Sequence, residues 1–336
     1  MKKKYFFVFA LVIACLAVFV STHAASPEIQ ITGEVASPLS LAVEDLSRFQ
    51  SVRVQLNEVM VNGTYRGTFY YQGVPLKTLL DTASIHKKDM TFNKNNDLAI
   101  RVRSRDGNTV ALSWGEVYYR NSNDILIATS AVSIMPHKSC ASCHEQEEYE
   151  PQMSQFERAI GFPKLVLADD GYADRCIENV VSIEVIDPSH GLPVDRSAEL
   201  SAPAFQITGA VGKEITVTDL SAFSSEKLET VHCGEGRGFH GVSNFSGPTF
   251  PALLNAAGIE RDLSGIVLVS APDGYRSAFS YGELFLKRTP SATIMADMEN
   301  GRPIKEGGRF RLIPTEDLMA DRWIKSVEKI EVLTLK

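Results

Sequence analysis

Residues 30–33 read Gln-Ile-Thr-Gly, and the same four residues return at 206–209. Further stretches return in the same order, among them Asp45-Leu46-Ser47 with Asp219-Leu220-Ser221, Ser113-Trp114-Gly115-Glu116 with Ser280-Tyr281-Gly282-Glu283, and Ala173-Asp174-Arg175 with Ala320-Asp321-Arg322. Ordered repetition along a chain is typical of a repeated structural unit. The sequence therefore predicts a tandem duplication, with a first unit at 27–187, a linker at 188–200 and a second unit at 201–336.

The spacing between the two units shows where they differ. Matching residues lie 168 positions apart at Ala128 and Ala296, but only 147 apart at Ala173 and Ala320. The first unit therefore contains about 21 extra residues in this interval, in an insertion at about 131–160. A loop added to an otherwise repeated fold more often has a functional role than a packing role.

Short apolar segments in both units predict the fold class. Asp106-Gly107 and Asp273-Gly274 each separate two short apolar runs, which predicts a β-hairpin in each unit. Leucines at helical spacing predict short helices at 75–83 and 250–257. Because strands and helices do not alternate regularly, we expect an α+β fold that is mainly β.

Composition and charge exclude several classes of protein. The chain has 336 residues, of which 44% are hydrophobic and 22% charged, and its net charge is −7. This composition is that of a globular protein with enough apolar residues for a core in each predicted unit. Five cysteines are too few for a disulfide-rich miniprotein. Because there is no basic surplus, nucleic acid is not expected as a partner.

The N-terminus has the pattern of an export signal. Lysines at 2–4 precede an apolar run at 5–20 and a small-residue stretch at 21–26. This order predicts a signal peptide at 1–25 that is removed on export. The alternatives are an uncleaved anchor, for which the run is short, and lipid attachment at Cys15. We therefore expect a periplasmic or otherwise exported protein with no membrane span after cleavage.

The predicted insertion contains Cys140-Ala141-Ser142-Cys143-His144, which has the spacing of a c-type haem attachment site. Cys140 and Cys143 would form thioether bonds to the haem, and His144 would bind the iron as its proximal ligand. Such haems are attached outside the bacterial cytoplasm, which agrees with the predicted export. The motif therefore predicts haem c and a function in electron transfer.

Several features of this segment stay open at the level of sequence. Met153 or His137 would be the second axial ligand of the iron. The two cysteines could instead form a disulfide, or bind zinc together with His144 and Cys176. Acidic residues at 145–150 would speed association with a basic redox partner protein.

A series of motifs in the second unit points to a known family. They are Ile207-Thr208-Gly209, His232-Cys233-Gly234-Glu235, Phe245-Ser246-Gly247, Ser270-Ala271-Pro272-Asp273-Gly274-Tyr275, and the stretches at 298–304, 307–314 and 323–327. Together they resemble the molybdopterin-binding domain of the sulfite oxidase family. The resemblance covers nearly all of the second unit and, more weakly, the first. It implies two tandem sulfite oxidase-type units.

The resemblance also implies roles for particular residues. Cys233 lies where the family's cysteine thiolate binds molybdenum beside the pterin dithiolene, and a soft sulfur ligand suits such a metal. The first unit has Val59 at the matching position and cannot supply this ligand. Four residues of the second unit lie where basic or hydrogen-bonding groups would meet the pterin phosphate: His232, Arg237, His240 and Lys325.

The sequence thus favours a periplasmic c-type haem electron-transfer protein on a duplicated sulfite oxidase-like scaffold. Two other functions stay open. One is a molybdenum-cofactor oxidoreductase that transfers an oxygen atom on a sulfite or sulfoxide type of substrate, with Cys233 as the metal ligand. The other is a non-redox binding module whose CxxC motif holds zinc or forms a disulfide.

Overall fold

The computed structural model of the chain describes residues 28–134, 158–234, 236, 238–289 and 292–335. Strands account for 44% of the structure and helices for 14%. The expectation of a mainly β fold is therefore confirmed.

Strands are distributed over both parts of the described chain. Those up to residue 187, which we call the N-terminal half, are β1 (Glu28–Gly33), β2 (Leu39–Ala42), β3 (Val52–Val59), β4 (Tyr65–Pro75), β5 (Ala99–Ser104), β6 (Thr109–Ser113), β7 (Ile125–Ser133), β8 (Lys164–Leu167) and β9 (Val180–Ile186). Those from residue 201 onward, the C-terminal half, are β10 (Phe205–Gly209), β11 (Ile215–Val217), β12 (Glu226–Gly234), β13 (Gly238–Gly247), β14 (Gly265–Ser270), β15 (Arg276–Ser280), β16 (Thr293–Ala296), β17 (Met298–Glu299), β18 (Arg302–Pro303), β19 (Arg311–Pro314) and β20 (Lys329–Thr334).

The α-helices are short, and those described are α1 (Leu76–Ala83), α2 (Trp114–Tyr118), α3 (Phe250–Ala256) and α4 (Tyr281–Phe285). The first and third confirm the two helices predicted from leucine spacing. The second and fourth each begin after a serine, because the hydroxyls of Ser113 and Ser280 accept hydrogen bonds from backbone N–H groups of the first turn. Across the part of the chain that the structure describes, we find no helix with the length and apolar character needed to cross a membrane.

Each half contains a five-stranded sheet with the same pattern of pairing. The strand order is β2-β1-β9-β5-β6 in the N-terminal half and β11-β10-β20-β14-β15 in the C-terminal half. The pairs β1–β9 and β10–β20 are parallel, and the neighbouring pairs are antiparallel. The hairpins predicted at the two Asp-Gly turns are β5–β6 and β14–β15, so both are confirmed.

A second layer of strands covers one face of each five-stranded sheet. In the N-terminal half it is the antiparallel sheet β3-β4-β7-β8. In the C-terminal half it consists of β12-β13-β17-β18 and the pair β16-β19. The cores contain fully buried apolar residues at matching positions, such as Ile31 and Leu79 in one half and Ile207 and Leu253 in the other. Burial of such side chains is the main stabilising term in each half.

The outward faces of the two five-stranded sheets pack against each other. This contact contains small and aliphatic side chains, namely Ala99, Ala111, Ile266, Leu268, Ala278 and Leu335. Two backbone hydrogen bonds of 2.8 Å cross it, from Ala111 N to Leu263 O and from Ala278 N to Asn96 O. Small side chains allow this close approach of the two backbones.

Buried, ion-paired arginines also form hydrogen bonds across the contact between the halves. Arg175, whose side chain is fully buried, binds Asp170 of its own half at 2.7 and 2.8 Å and Glu116 at 2.9 Å. Its third contact is with the other half, where it donates to Ser280 Oγ at 3.1 Å. Burial disfavours the guanidinium charge, but the two carboxylates outweigh this and raise the pKa of Arg175.

The C-terminal half makes the same set of contacts in the opposite direction. Arg322 binds Asp317 at 2.6 and 2.7 Å and Glu283 at 2.9 Å, and it donates to Ser113 Oγ at 3.1 Å. Gly115 lies directly under this guanidinium, since a Cβ at that position would be 2.2 Å from Arg322 Nε. Each half therefore completes the hydrogen bonding of a buried arginine in the other.

The segment predicted as a linker is fixed to both halves at its start. Ser189 is fully buried and donates to Asp97 at 2.6 Å. Asp97 also accepts from Lys87 at 2.6 Å and from Arg276 of the C-terminal half at 3.1 Å. The start of this connection is thus held by a buried group of charged residues and does not act as a free linker.

Candidate functional site

The residues predicted to hold haem lie outside the described residues, as does the predicted signal peptide at 1–25. They are Cys140, Cys143, His144, and the two candidates for the second axial ligand, Met153 and His137. The strands on either side of this segment are described, so the structure shows where it joins the fold.

Strand pairing shows that the insertion joins β7 to β8. In the last shared rung of this pair Ala128 lies opposite Lys164, and in the corresponding rung of the C-terminal half Ala296 lies opposite Arg311. Between these rungs are 35 residues in the N-terminal half and 14 in the C-terminal half, a difference of 21. The extra residues therefore connect β7, an inner strand of the sheet β3-β4-β7-β8, to its edge strand β8.

A buried group of charged residues lies where the insertion returns to the fold. Lys164 Nζ donates to the carboxylate of Glu58 and, at 3.0 Å, to Tyr71 Oη. Tyr71 Oη donates to the same carboxylate. All three side chains are at most 2% exposed. Buried ions are stable only when paired and hydrogen-bonded in this way.

Arg158 and Glu178 complete this group, which we call the N-terminal charge cluster (Glu58, Tyr71, Arg158, Lys164 and Glu178). Arg158 donates to Glu178 at 2.6 Å and also to Glu58. Lys164 Nζ lies 3.3 Å from Glu178. Two cations and two carboxylates therefore neutralise each other.

The pKa values within and beside the N-terminal charge cluster follow from burial and pairing. Burial and the neighbouring Glu58 carboxylate raise the pKa of Tyr71, which keeps the phenol protonated. Partial burial would raise the pKa of Glu178, but hydrogen bonds from the Gly161 N–H and from Arg158 lower it on balance. Burial raises the pKa of the neighbouring Cys176 thiol to about 12.

Strand register identifies the matching positions in the C-terminal half. The pairs Val59–Tyr65 and Cys233–Phe239 occupy the same place in their hairpins, so Val59 matches Cys233 structurally as well as in sequence. By the same register His232 matches Glu58, Phe245 matches Tyr71 and Arg311 matches Lys164. The same sequence offset of 147 residues pairs Lys325 with Glu178 and Lys305 with Arg158.

Four of these positions in the C-terminal half line an open cleft of about 1130 Å³: His232, Lys305, Arg311 and Lys325. Its described charged lining residues are four cations and two carboxylates, together with a histidine: Arg302, Lys305, Arg311, Lys325, Glu299, Glu306 and His232. Arg311 lies 3.4 Å from Glu299 and donates to the backbone of Glu306 at 3.0 Å. The described lining therefore has an excess of positive charge. We call this site the C-terminal cleft.

Aromatic rings form the wall beside the cleft. The ring of His232 stacks on Trp323 at a centroid distance of 4.6 Å and on His240 at 4.5 Å. Trp323 in turn contacts the edge of Phe245 at 5.4 Å. The stack fixes the orientation of His232. Of the four residues that the resemblance assigned to phosphate, His232 and Lys325 line the cleft, His240 lies in the stack, and Arg237 is outside the described residues.

A smaller cleft of about 200 Å³ adjoins the first and shares Leu200 and Lys325 with it. Lys94 of the N-terminal half reaches into this space, where its Nζ binds Asp321 at 2.9 Å. Burial would lower the pKa of Lys94, but Asp321 and the hydroxyl of Tyr275 raise it on balance. The two halves together thus form the edge of the basic region.

Cys233 is a free, partly buried thiol. It follows His232 on β12, at a point where the pairing with β13 shifts register between these two residues. His232 lines the C-terminal cleft, whereas Cys233 lines neither that cleft nor the smaller one. The described residues therefore provide a basic cleft without the thiol inside it, and fit the implied molybdenum–pterin group only in part.

Cys176 is also free, so these two cysteines do not form a disulfide with each other. Its sulfur accepts a hydrogen bond from Leu167 N at 3.4 Å and packs against both N-terminal cores. Three or more His, Cys, Asp or Glu side chains arranged to hold a metal ion do not occur within the described ranges.

Sequence reasoning missed the two residues that contribute most to the comparison between the halves. Arg311 lies within the family-like stretch at 307–314 but was not singled out as a site residue, and Lys305 lies between the quoted motifs. The signal was nevertheless present, because both lie 147 residues after a basic residue of the first half, Lys164 and Arg158. A comparison of charges across the repeat, in addition to identities, would have found them.

Comparisons with solved structures give distant structural likenesses. The chain is similar to the sulfane dehydrogenase SoxCD from Paracoccus pantotrophus, with 14% sequence identity and a TM-score of 0.34. The alignment covers 92% of this chain and 78% of that one. No family model and no curated protein sequence match the chain.

Proposed function

We propose that the chain is an exported c-type haem protein that transfers electrons, built on two sulfite oxidase-like units. The observation that carries the proposal is the CxxCH motif at 140–144, which falls in a β7–β8 connection 21 residues longer than its counterpart. The C-terminal half lacks this segment. The motif therefore has no role in the packing that the two halves share.

Contacts of the described residues at both ends of the β7–β8 connection support this proposal. Ile134 N donates to Thr68 O at 2.9 Å as the chain leaves β7. On its return, Arg158 binds Glu58 and Glu178 in the N-terminal charge cluster. Both ends of the segment are therefore fixed to one sheet, and thioether bonds through Cys140 and Cys143 would retain the haem without a large pocket.

The test is a spectrum of full-length protein, expressed with its own N-terminus in a host that matures c-type cytochromes. We expect a Soret band, a pyridine haemochrome typical of two thioether bonds, and haem that remains bound after denaturation. The Cys140→Ala/Cys143→Ala variant should lose covalent haem. Its matched control is Cys176→Ala/Cys233→Ala, which should keep it.

A colourless protein from a host in which a reference cytochrome matures would overturn the proposal. Zinc at one equivalent in that material would favour a binding module instead. Molybdenum at one equivalent would favour an oxidoreductase, but Cys233 lies outside the basic cleft, so the geometry supports this second activity less well.

A further inference from the structure

The connection from helix to sheet differs in length between the two halves. After α1 and after α3 the chain forms equivalent isolated bridges, which end at Ile85 and Ile259. By the register of β5–β6 and β14–β15, Leu98 of the N-terminal half matches Gly265 of the C-terminal half. Between these points are 12 residues in the N-terminal half but only 5 in the C-terminal half. The C-terminal connection is therefore seven residues shorter.

Side chains of the N-terminal half fill the space beside the longer connection. Leu98 is fully buried, and Lys87 of the connection is 4% exposed. Lys87 Nζ donates to Asp97 at 2.6 Å, lies 3.4 Å from Asp187, and is 5.0 Å from the centroid of the Phe92 ring. An ammonium group of the chain itself therefore lies between two carboxylates and beside an apolar ring.

The C-terminal half has a pocket of about 480 Å³ at the matching place. Gly265 stands where the N-terminal half has Leu98, and Thr334 stands where it has Asp187, and both line the pocket. The cation of the shorter connection, Arg261, is directed to the other half, where it donates to a carboxylate of Asp174. The space that the N-terminal half fills with its own side chains is thus open in the C-terminal half. We call it the amine pocket, for the ligand proposed below.

Two carboxylates of the amine pocket have no cation beside them. Asp262 accepts hydrogen bonds from the hydroxyls of Ser264 and Thr334 at 2.6 and 2.8 Å and from Ser264 N at 2.9 Å. Glu260 is exposed and also lines the pocket. Within the described part of the chain neither acid forms an ion pair, since Arg261 is paired with Asp174. The pocket therefore offers negative charge to a ligand.

The rest of the lining is mostly apolar. Val267 and Val332 are at most 5% exposed, and they line the pocket together with Tyr281. The ring of Tyr281 stacks on Phe285 at a centroid distance of 4.6 Å, which fixes its position. A calcium or magnesium ion needs about six oxygen ligands, and no such group of His, Cys, Asp or Glu side chains occurs among the described residues. Two acids beside an apolar wall suit an organic cation better.

We propose that the amine pocket binds a small primary amine with an apolar body. The ammonium group of the ligand contacts Asp262 and Glu260, as the ammonium group of Lys87 contacts two carboxylates in the N-terminal half. The apolar body lies against Tyr281 and the neighbouring valines. Hydrogen bonds between an ammonium group and a carboxylate are about twice as strong as neutral ones, and burial of the apolar body adds to the affinity. The proposal does not depend on the haem.

The test is calorimetric titration of the full-length protein with 2-phenylethylamine at about pH 7, where an alkylamine is protonated. We expect saturable binding of one equivalent. The matched ligand 2-phenylethanol has the same apolar body without the charge, and it should bind about tenfold more weakly or less well. Equal affinities for the two ligands would overturn the proposal, and so would the absence of saturable binding of the amine.

Two variants test the pocket itself. Thr334→Lys places an ammonium group of the chain beside Asp262, which reproduces the arrangement of the N-terminal half, and it should weaken binding of the amine by about tenfold or more. Glu260→Gln removes one carboxylate at an exposed position and should weaken binding by about threefold or more. The second variant guards against a folding defect in the first, because Glu260 has no structural partner among the described residues.

Thr216→Lys is the matched control, because it makes the same substitution at an exposed position that does not line the pocket. It should leave the affinity within about twofold of the parent, as expected for screened charges at the surface. Equal losses in Thr216→Lys and Thr334→Lys would show nonspecific repulsion of the amine and overturn the proposal. Unchanged affinity in both Thr334→Lys and Glu260→Gln would also overturn it.

Discussion

Arg175 and Arg322 each donate a hydrogen bond to a serine in the opposite half of the chain, over the same distance of 3.1 Å. Both guanidinium groups are fully buried, and both are held by two carboxylates of their own half. Separation of the halves would expose these charged groups to solvent or leave the arginines without their serine partners. The two halves are therefore expected to unfold together.

Arg322→Ala should lower the free energy of unfolding by about 3–5 kcal/mol, because removing one partner leaves buried carboxylates of Asp317 and Glu283 uncompensated. Denaturant unfolding followed by tryptophan fluorescence measures this change. The control is Arg309→Ala, which removes a pair between exposed side chains of Arg309 and Asp219 and should cost about 1 kcal/mol or less. Equal losses in the two variants would contradict the assigned role of Arg322.

Gly115→Ala tests how closely the halves pack. Its new Cβ would lie 2.2 Å from Arg322 Nε, and the guanidinium cannot withdraw because Asp317 and Glu283 hold it. We expect a loss of about 2 kcal/mol or more, in the range of overpacked sites. Gly171→Ala is the matched control, since its nearest neighbour would be at an ordinary 3.5 Å. Equal stability of Gly115→Ala and Gly171→Ala would contradict the close packing of residue 115 against Arg322.

Glu178→Gln addresses the stability of the N-terminal charge cluster in acid. The pKa of Glu178 is lowered in the fold, so its carboxylate stabilises the folded state above the unfolded pKa, and this contribution disappears as the pH falls through the folded value. The parent should therefore exceed Glu178→Gln in stability at pH 7, and the difference should shrink below about pH 4. Glu226→Gln, at an exposed position, is the control. A difference that stays constant with pH would contradict this account.

Much of the scaffold could be predicted from short local patterns. The Asp-Gly turns identified both hairpins and the leucines of residues 76–83 and 250–256 identified both helices, because these signals depend on local backbone and packing preferences. The contacts of Arg175 could not be predicted in this way. Its partners Glu116 and Ser280 are 59 and 105 residues away, and only the packing of the two sheets brings them together.

In the candidate site, too, residues within sequence motifs could be predicted, whereas contacts between residues distant in sequence could not. The sequence identified His232 and Lys325 through a resemblance, and both line the C-terminal cleft. It could not predict that Cys233 would lie outside the cleft, because that depends on how the end of β12 pairs with β13, where the register shifts between His232 and Cys233. Nor could it predict that Lys94 of the other half would reach the cleft's edge.

Cys176 and Cys233 should differ sharply in their reaction with iodoacetamide. Burial raises the pKa of Cys176 to about 12, so at pH 8 only about one thiol in ten thousand is ionised, and the thiolate is the reactive form. We expect mass spectrometry of the native protein to find Cys233 alkylated well before Cys176, and both alkylated in denaturant. Gly234→Ala, next to Cys233 and far from Cys176, should alter only the Cys233 rate. Rapid labelling of Cys176 in the native state at pH 8 would mean that its thiol is not held in the core, and that zinc binding through this residue deserves a direct test.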